Sequence, residues 1–150
     1  MNLDHYSLTT TKSFFDFEFY SEGPKGKVKK IVRYSPQNAN GITYFYLSFG
    51  DWNENIKEID YNVVSDNMDR RKILATVALT ILEFTSRFPD IMVYAQGSTP
   101  SRTRLYQMAI MSNWKEIQPL LHVFGFLNGH WKPFEKNVPY EAFLVLRKKL

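Results

Sequence analysis

The sequence predicts an α+β domain: a mostly antiparallel sheet of six to seven strands, with one long helix and one or two shorter ones packed on it. Three observations carry that reading. Aromatic residues make up 16% of the chain and cluster in stretches that alternate apolar with polar residues, as half-buried strands do. One long stretch, residues 68–88, repeats its apolar positions at helical spacing. Turn signals follow one another closely near both ends of the chain, so that neighbouring strands pair as hairpins. At 150 residues the chain can bury a core of its own. No linker, repeat or low-complexity tract divides it, so residues 1–150 are expected to form a single domain.

Residues 1–12 are polar and read as peripheral. Phe15, Phe17 and Phe19 alternate with Asp16 and Glu18, which predicts a strand; Glu22-Gly23-Pro24-Lys25-Gly26 turns the chain into a second strand over 27–34. Lys25, Lys27, Lys29, Lys30 and Arg33 give that strand a basic edge, either solvated or in contact with nucleic acid, and Asp16 and Glu18 across the hairpin would neutralise part of it. Residues 35–41 read as a loop. Residues 42–49 are apolar or aromatic on both faces, which predicts a central strand. Gly50-Asp51-Trp52-Asn53 reads as a turn and residues 56–64 as a weaker fourth strand, with Trp52 either a lid on the core or a ligand platform.

The long helix follows, with Ser65, Asp66 and Asn67 as candidate caps and Pro89-Asp90 as its stop. Ile73, Leu74, Val77, Ala78, Ile81, Leu82 and Thr85 fall on one wide stripe, so this helix must lie against a sheet. Residues 91–96 form the next strand and residues 100–111 a second helix, with Leu105, Met108, Ala109 and Ser112 facing inward. Asn113 and Glu116 resemble a capping box for one short helix ending near Pro119. Residues 121–127 form a strand, Asn128-Gly129 is a hairpin turn, residues 130–135 return, and residues 141–148 form the last strand.

The candidate site lies where the strand over 91–96 hands over to the second helix. Gly97 allows a sharp turn, Ser98 and Thr99 suit a helix N-cap, and Pro100 suits the first helical position. A helix start offers free amides and the positive end of a dipole, which together favour an anion. Ser98, Thr99, Ser101 and Thr103 add hydroxyl donors, and Arg102 and Arg104 add guanidinium forks that match phosphate oxygens in pairs. The same residues also make an ordinary helix start, in which Arg102 stacks on Tyr106 four residues on and Arg104 pairs with a surface carboxylate. Arg70, Arg71 and Lys72 crowd the first turn of the long helix, where positive charge opposes the dipole unless an anion sits there; Asp66 or Asp69 can supply one from within the chain.

Other chemistry finds no residues to carry it. There is no cysteine, which excludes disulfides and thiolate catalysis and fits a reducing, cytoplasmic location. No apolar run is long enough to span a bilayer and no leader pattern opens the chain, so no membrane partner is expected. His5, His122 and His130 are scattered; the last two, facing each other across the Asn-Gly hairpin, would lack a third ligand, so no metal centre is expected. Serine-nucleophile, phosphate-loop and dinucleotide signatures are missing, and the acids are too dispersed to name a catalytic pair. A formal charge of +4 is compatible with anionic partners.

Two resemblances arise from these residues. Residues 17–26, 69–77, 97–106 and 133–137 resemble a bacterial domain family of unknown function, common in Bacteroidota, over nearly the whole chain. The order of elements, β-β-β-β-α-β-α-β-β, resembles that of GNAT acyltransferases, in which the start of the long helix holds the pyrophosphate of acetyl-CoA. Leu105-Tyr106 resembles the Leu-Tyr pair of that family's second helix, with Ala109-Ile110 where Gly-Phe often follows. That resemblance implies acetyl-CoA as cofactor and Tyr106 as a general acid toward the leaving thiolate. Three expectations result. The first is a small domain binding a phosphate-bearing ligand, nucleic acid above all, in a toxin–antitoxin or defence setting. The second is an acyltransferase, and the third a non-enzymatic domain that binds a protein partner or a second copy of itself.

Overall fold

A computed structural model of the chain describes residues 4–60 and 66–149. The elements are β1 (Thr9–Thr10), β2 (Asp16–Gly23), β3 (Gly26–Ala39), β4 (Ile42–Asn53), β5 (Glu58–Asp60), α1 (Arg70–Arg87), β6 (Val93–Ala95), α2 (Pro100–Ser112), α3 (Trp114–Ile117), β7 (Leu121–Leu127), β8 (His130–Pro133) and β9 (Ala142–Arg147). Eight strands run in the order β1-β2-β3-β4-β6-β9-β7-β8, and β5 pairs with β4 off that path. Every pairing is antiparallel except β4 with β6, which joins three residue pairs in parallel: Phe45 to Val93, Tyr46 to Tyr94 and Leu47 to Ala95. The class is the α+β one expected; the sheet is larger, with nine strands among the described residues.

Alternation along the strands gives the sheet two unlike faces. Phe17, Phe19, Val32, Tyr34, Phe45, Leu47, Val93, Phe143 and Val145 point to one face and are buried. The helices cover them: the Tyr34 ring stacks on Phe84 of α1 with centroids 4.1 Å apart, and the Tyr34 hydroxyl meets Thr80 Oγ1 at 2.9 Å. Complete burial pushes the Tyr34 phenol far above its ordinary range, although the Thr80 bond opposes the shift.

Several local expectations are corrected. The stretch 35–41 is not a loop: β3 runs on to Ala39 and turns at Asn40-Gly41, both with positive φ, into β4. Residues 36–39 are exposed on a projecting hairpin, so nothing buried marks them as strand; the Asn-Gly pair was the available signal. Gly50-Asp51-Trp52-Asn53 is strand rather than turn, because β4 continues to pair with β3 and then with β5. Of the fourth strand expected over 56–64, Glu58–Asp60 is strand, and residues 61–64 lie outside the described residues. Two residues of the polar N-terminal stretch form β1.

The supposed basic edge is interior, since β3 lies between β2 and β4. Its charges are matched as the cross-strand argument expects. Arg33 holds Asp16 through two bonds of 2.9 and 3.0 Å, and Lys29 lies 3.6 Å from Glu18. Lys30 is buried and paired with Asp51 of β4.

Cap expectations at α1 and α3 also change. Asn67 caps nothing; its side chain accepts from Lys25 N and donates to Gly26 O and Ser21 Oγ, pinning the β2–β3 turn to the helix start. Asp66 accepts from Met68 N just before the helix, and Ser65 lies outside the described residues. Asn113 makes no side-chain cap; it is buried and donates from Nδ2 to Ala109 O at 2.7 Å. His122 and His130 do not face each other, because the register sets His122 beside Leu146 and His130 beside Leu127.

Candidate functional site

The turn from β6 into α2 forms as its residues dictate. Thr99 is the N-cap, accepting the Arg102 amide on Oγ1 at 3.2 Å, and Pro100 opens the helix. Gly97 is required for a different reason from the one expected. Its φ is not positive; instead, a Cβ there would lie 2.4 Å from Thr103 N and 2.5 Å from Arg102 Cβ. Only a glycine lets the strand end press this closely on the helix start. The Gly97 amide donates to Thr103 Oγ1 at 3.0 Å, and that hydroxyl donates in turn to Thr99 O.

These bonds occupy much of the anion-binding apparatus expected of the turn. Pro100 has no amide, the Arg102 amide is capped, and the Thr99 and Thr103 hydroxyls are engaged in holding the turn. Exposed Ser98 and Ser101 remain on the outside. The two arginines part company. Arg102 is 9% exposed and turns inward, where Nη1 donates to Phe49 O of β4 at 3.0 Å. It belongs with Tyr106, Ala109 and Ile110 on the buried stripe of α2. Arg104 is exposed, and among the described residues its side chain has no ion pair or hydrogen bond.

Arg104 lines a hollow of about 600 Å³ together with Ser98, Thr99, Thr103, Asn137 and Glu141. That volume falls in the range of small-molecule sites. The Glu141 carboxylate is partly engaged, accepting the Asn128 amide at 3.3 Å. Buried Gln107 forms the inner wall by tying α2 to the loop before β9: its Nε2 donates to Val138 O, and its Oε1 accepts from Tyr140 N at 3.1 Å.

Tyr106 stands elsewhere. It is 8% exposed and lines a smaller cleft of about 210 Å³ with Tyr46, Phe49, Gly97 and Arg102, where β4 and β6 part beyond their three pairs. The structure therefore does not bring Tyr106 together with Arg104. The inward set expected for α2 is likewise shifted, since Leu105 and Met108 are half-buried and Ser112 is exposed. Polar residues with partners inside the fold, Arg102, Thr103 and Gln107, take those places.

Arg70 and Arg71 lie at the far end of the helical layer. They line a hollow of about 610 Å³ with Asp69, Lys72 and, from the end of α2, Ser112 and Asn113. A helix of this length spans about 20 Å, so the eight residues expected to bind a ligand form two groups rather than one site. Neither arginine has an ion pair among the described residues, whereas Lys72 sits 3.8 Å from Asp4 and 4.4 Å from the Tyr6 ring centre. Asp69 supplies the internal acid: Oδ2 accepts from the Tyr6 hydroxyl and from Ser21 Oγ, each at 2.5 Å. Desolvation, helped by that carboxylate, pushes the Tyr6 phenol above its ordinary value.

A model for a family of unknown function, DUF6934, matches residues 2–148. The chain belongs to that family. No curated protein and no solved structure matches it. For this DUF6934 chain the site must therefore be argued from its own side chains. No group of three or more metal-ligating side chains occurs among the described residues, and no helix is long and apolar enough to cross a membrane.

Sequence reasoning missed the Tyr6–Asp69–Ser21 cluster and the inward role of Arg102. The second was within reach, because Arg102 lies four residues before Tyr106 and seven before Ala109, on one side of the helix. The first joins residues 48 and 63 positions apart and leaves no local pattern.

Proposed function

We propose that this domain binds a phosphate-bearing ligand at the hollow beside the start of α2, with nucleic acid as the ligand class. One observation carries the reading: Arg104, exposed and without a partner among the described residues, on the wall of a ligand-sized hollow at a helix N-terminus that holds no acid in its first turn. Ser98 and Ser101 add hydroxyl donors beside it. Arg70 and Arg71, about 20 Å away at the other end of the helical layer, offer a polyanion a second contact that a small phosphate ester could not reach at the same time.

Fluorescence anisotropy with labelled single-stranded RNA and DNA tests this. Affinity should fall with salt in proportion to the phosphates contacted, and Arg104→Ala should lower the salt slope by about one contact. Binding that ignores salt, or no binding to either polymer, removes the reading.

A second reading, acyl transfer from acetyl-CoA with Tyr106 as acid, draws on the parting of β4 and β6 beside Tyr106. The Arg102 guanidinium lines that cleft and holds the β4 carbonyl, so a cofactor arm would have to displace it. Calorimetry with acetyl-CoA and an acyl-transfer assay decide: saturable heat that Tyr106→Phe leaves in place while it lowers turnover supports the reading, and no heat eliminates it.

A further inference from the structure

The hollow between the start of α1 and the end of α2 carries two buried acceptors that call for donors. Asn113, 1% exposed, lines it. The fold orients its amide: Nδ2 donates to Ala109 O, and a flipped amide would set oxygen against that carbonyl. Oδ1 is the atom left over, buried and accepting no hydrogen bond among the described residues. Asp69 lines the same hollow in the same condition. Its Oδ2 accepts from Tyr6 and Ser21, while its Oδ1 is buried and accepts no hydrogen bond among the described residues. Folded proteins seldom leave such an acceptor unmatched, and two belonging to the walls of one hollow mark a place for N–H or O–H groups.

The rim has the opposite character. Arg70 and Arg71 are exposed and make no ion pair among the described residues, while Lys72 is matched by Asp4. A bare cation would suit the two oxygens and be opposed by the rim; a bare anion would suit the rim and be opposed by the oxygens. The occupant therefore carries donors at one end and negative charge at the other. Met68 adds a third requirement. It is 82% exposed and has a φ of 60°, so the chain holds a polarizable thioether at the mouth, where a flat ring can cover it. We infer that this hollow binds a guanine nucleotide, base inward and phosphate on Arg70 and Arg71. Guanine alone among the common bases sets two donors, N1–H and the 2-amino group, side by side on its pairing edge. The volume of about 610 Å³ falls in the range of small-molecule sites. The inference rests on the reading above in one respect, that these two arginines meet phosphate.

Calorimetry on the full chain with GMP, IMP, UMP and inorganic phosphate tests this. GMP should bind with a dissociation constant on the order of 10 µM. IMP, which lacks the 2-amino group, should bind about tenfold more weakly, and UMP and phosphate more weakly still. The double variant Arg70→Ala/Arg71→Ala should weaken GMP by about tenfold or more without loss of stability, since those cations oppose the dipole of α1. Met68→Gly relieves the positive φ, so it should leave the unfolding curve in place or raise it, and still weaken GMP about threefold. No heat with GMP at about 1 mM overturns the inference, as does equal affinity for GMP and IMP, or GMP binding that both variants leave unchanged. Single-stranded RNA separates the two readings. RNA binding without GMP binding overturns this inference and leaves the one above standing; GMP binding with the expected order, without RNA binding, does the reverse.

Discussion

The two long helices begin in opposite ways. The start of α1 carries three cations in succession, Arg70, Arg71 and Lys72, and no side chain caps an amide there. Its compensation is Asp69, in the N-cap position, whose carboxylate is drawn away from the helix amides to the Tyr6 hydroxyl and Ser21. The start of α2 closes on itself: Thr99 caps, Pro100 removes an amide, Thr103 ties back to Gly97, and Arg102 leaves for the strands. At α1 an acid is committed to joining the N-terminal segment, β2 and the helix, and the arginines are left outside. At α2 an arginine is committed to the fold and one is left outside. Arginines near a helix start therefore do not by themselves measure its capacity for anions; the partners each side chain already has decide that.

The sharpest way to break this comparison is Arg102→Ala. Loss of the buried guanidinium leaves the Phe49 carbonyl without its donor and opens a void between α2 and β4, so urea unfolding should show a loss of about 3 kcal/mol. A change under about 0.5 kcal/mol would show that Arg102 belongs with Arg104 after all. Asp69→Ala should cost less, about 2 kcal/mol, because the two hydroxyl bonds it removes are offset by release of a carboxylate whose Oδ1 is buried with no hydrogen-bond partner among the described residues.

Two buried phenols packed on α1, Tyr6 at its start and Tyr34 at its middle, give the fold a pH signature. Tyr6 and Tyr34 have raised pKa values, so the folded chain keeps phenolic protons that the unfolded chain gives up. Their contribution to stability is intact below the ordinary phenol value of about 10 and is lost as pH rises above it. Chemical denaturation from pH 8 upward should show that decline, and Tyr6→Phe should make it shallower. Thr99→Ala, which removes one cap, should destabilise by about 1 kcal/mol in the same measurement. Arg104→Ala should be the mildest change, within about 0.5 kcal/mol of the parent, and should weaken binding of an anionic ligand by about tenfold. Unfolding of that variant would give Arg104 a structural role and undo the contrast with Arg102.

Much of the architecture was legible because it is written locally. The stripe from Ile73 to Thr85, the alternation of Phe17 with Phe19, and the Asn128-Gly129 turn each carry their own signal within a few residues. The errors fall where partners are remote. Nothing near Asn67 reveals that it binds the turn at Lys25 and Gly26, and nothing near Lys30 reveals the buried Asp51 across the hairpin. The candidate site was legible in position and only partly in content. The turn, its cap and its proline stand where the sequence puts them. Which of two neighbouring arginines faces water depends on the carbonyl of a strand more than fifty residues away.

The short parallel contact between β4 and β6 has a kinetic consequence. The strands before α1 can pair as hairpins from near neighbours in the chain, and so can those after α2. Among the described residues these two groups of strands are joined through β6, which meets β4 at three residue pairs, each 48 positions apart, and β9 at three more. Closing such a loop is entropically slow, and so small a contact repays little of that cost. The seam is therefore the place where the sheet completes last and gives way first. Native-state hydrogen exchange should find the amides of Val93 and Ala95 opening ahead of that of Val32, which lies between two long antiparallel partners.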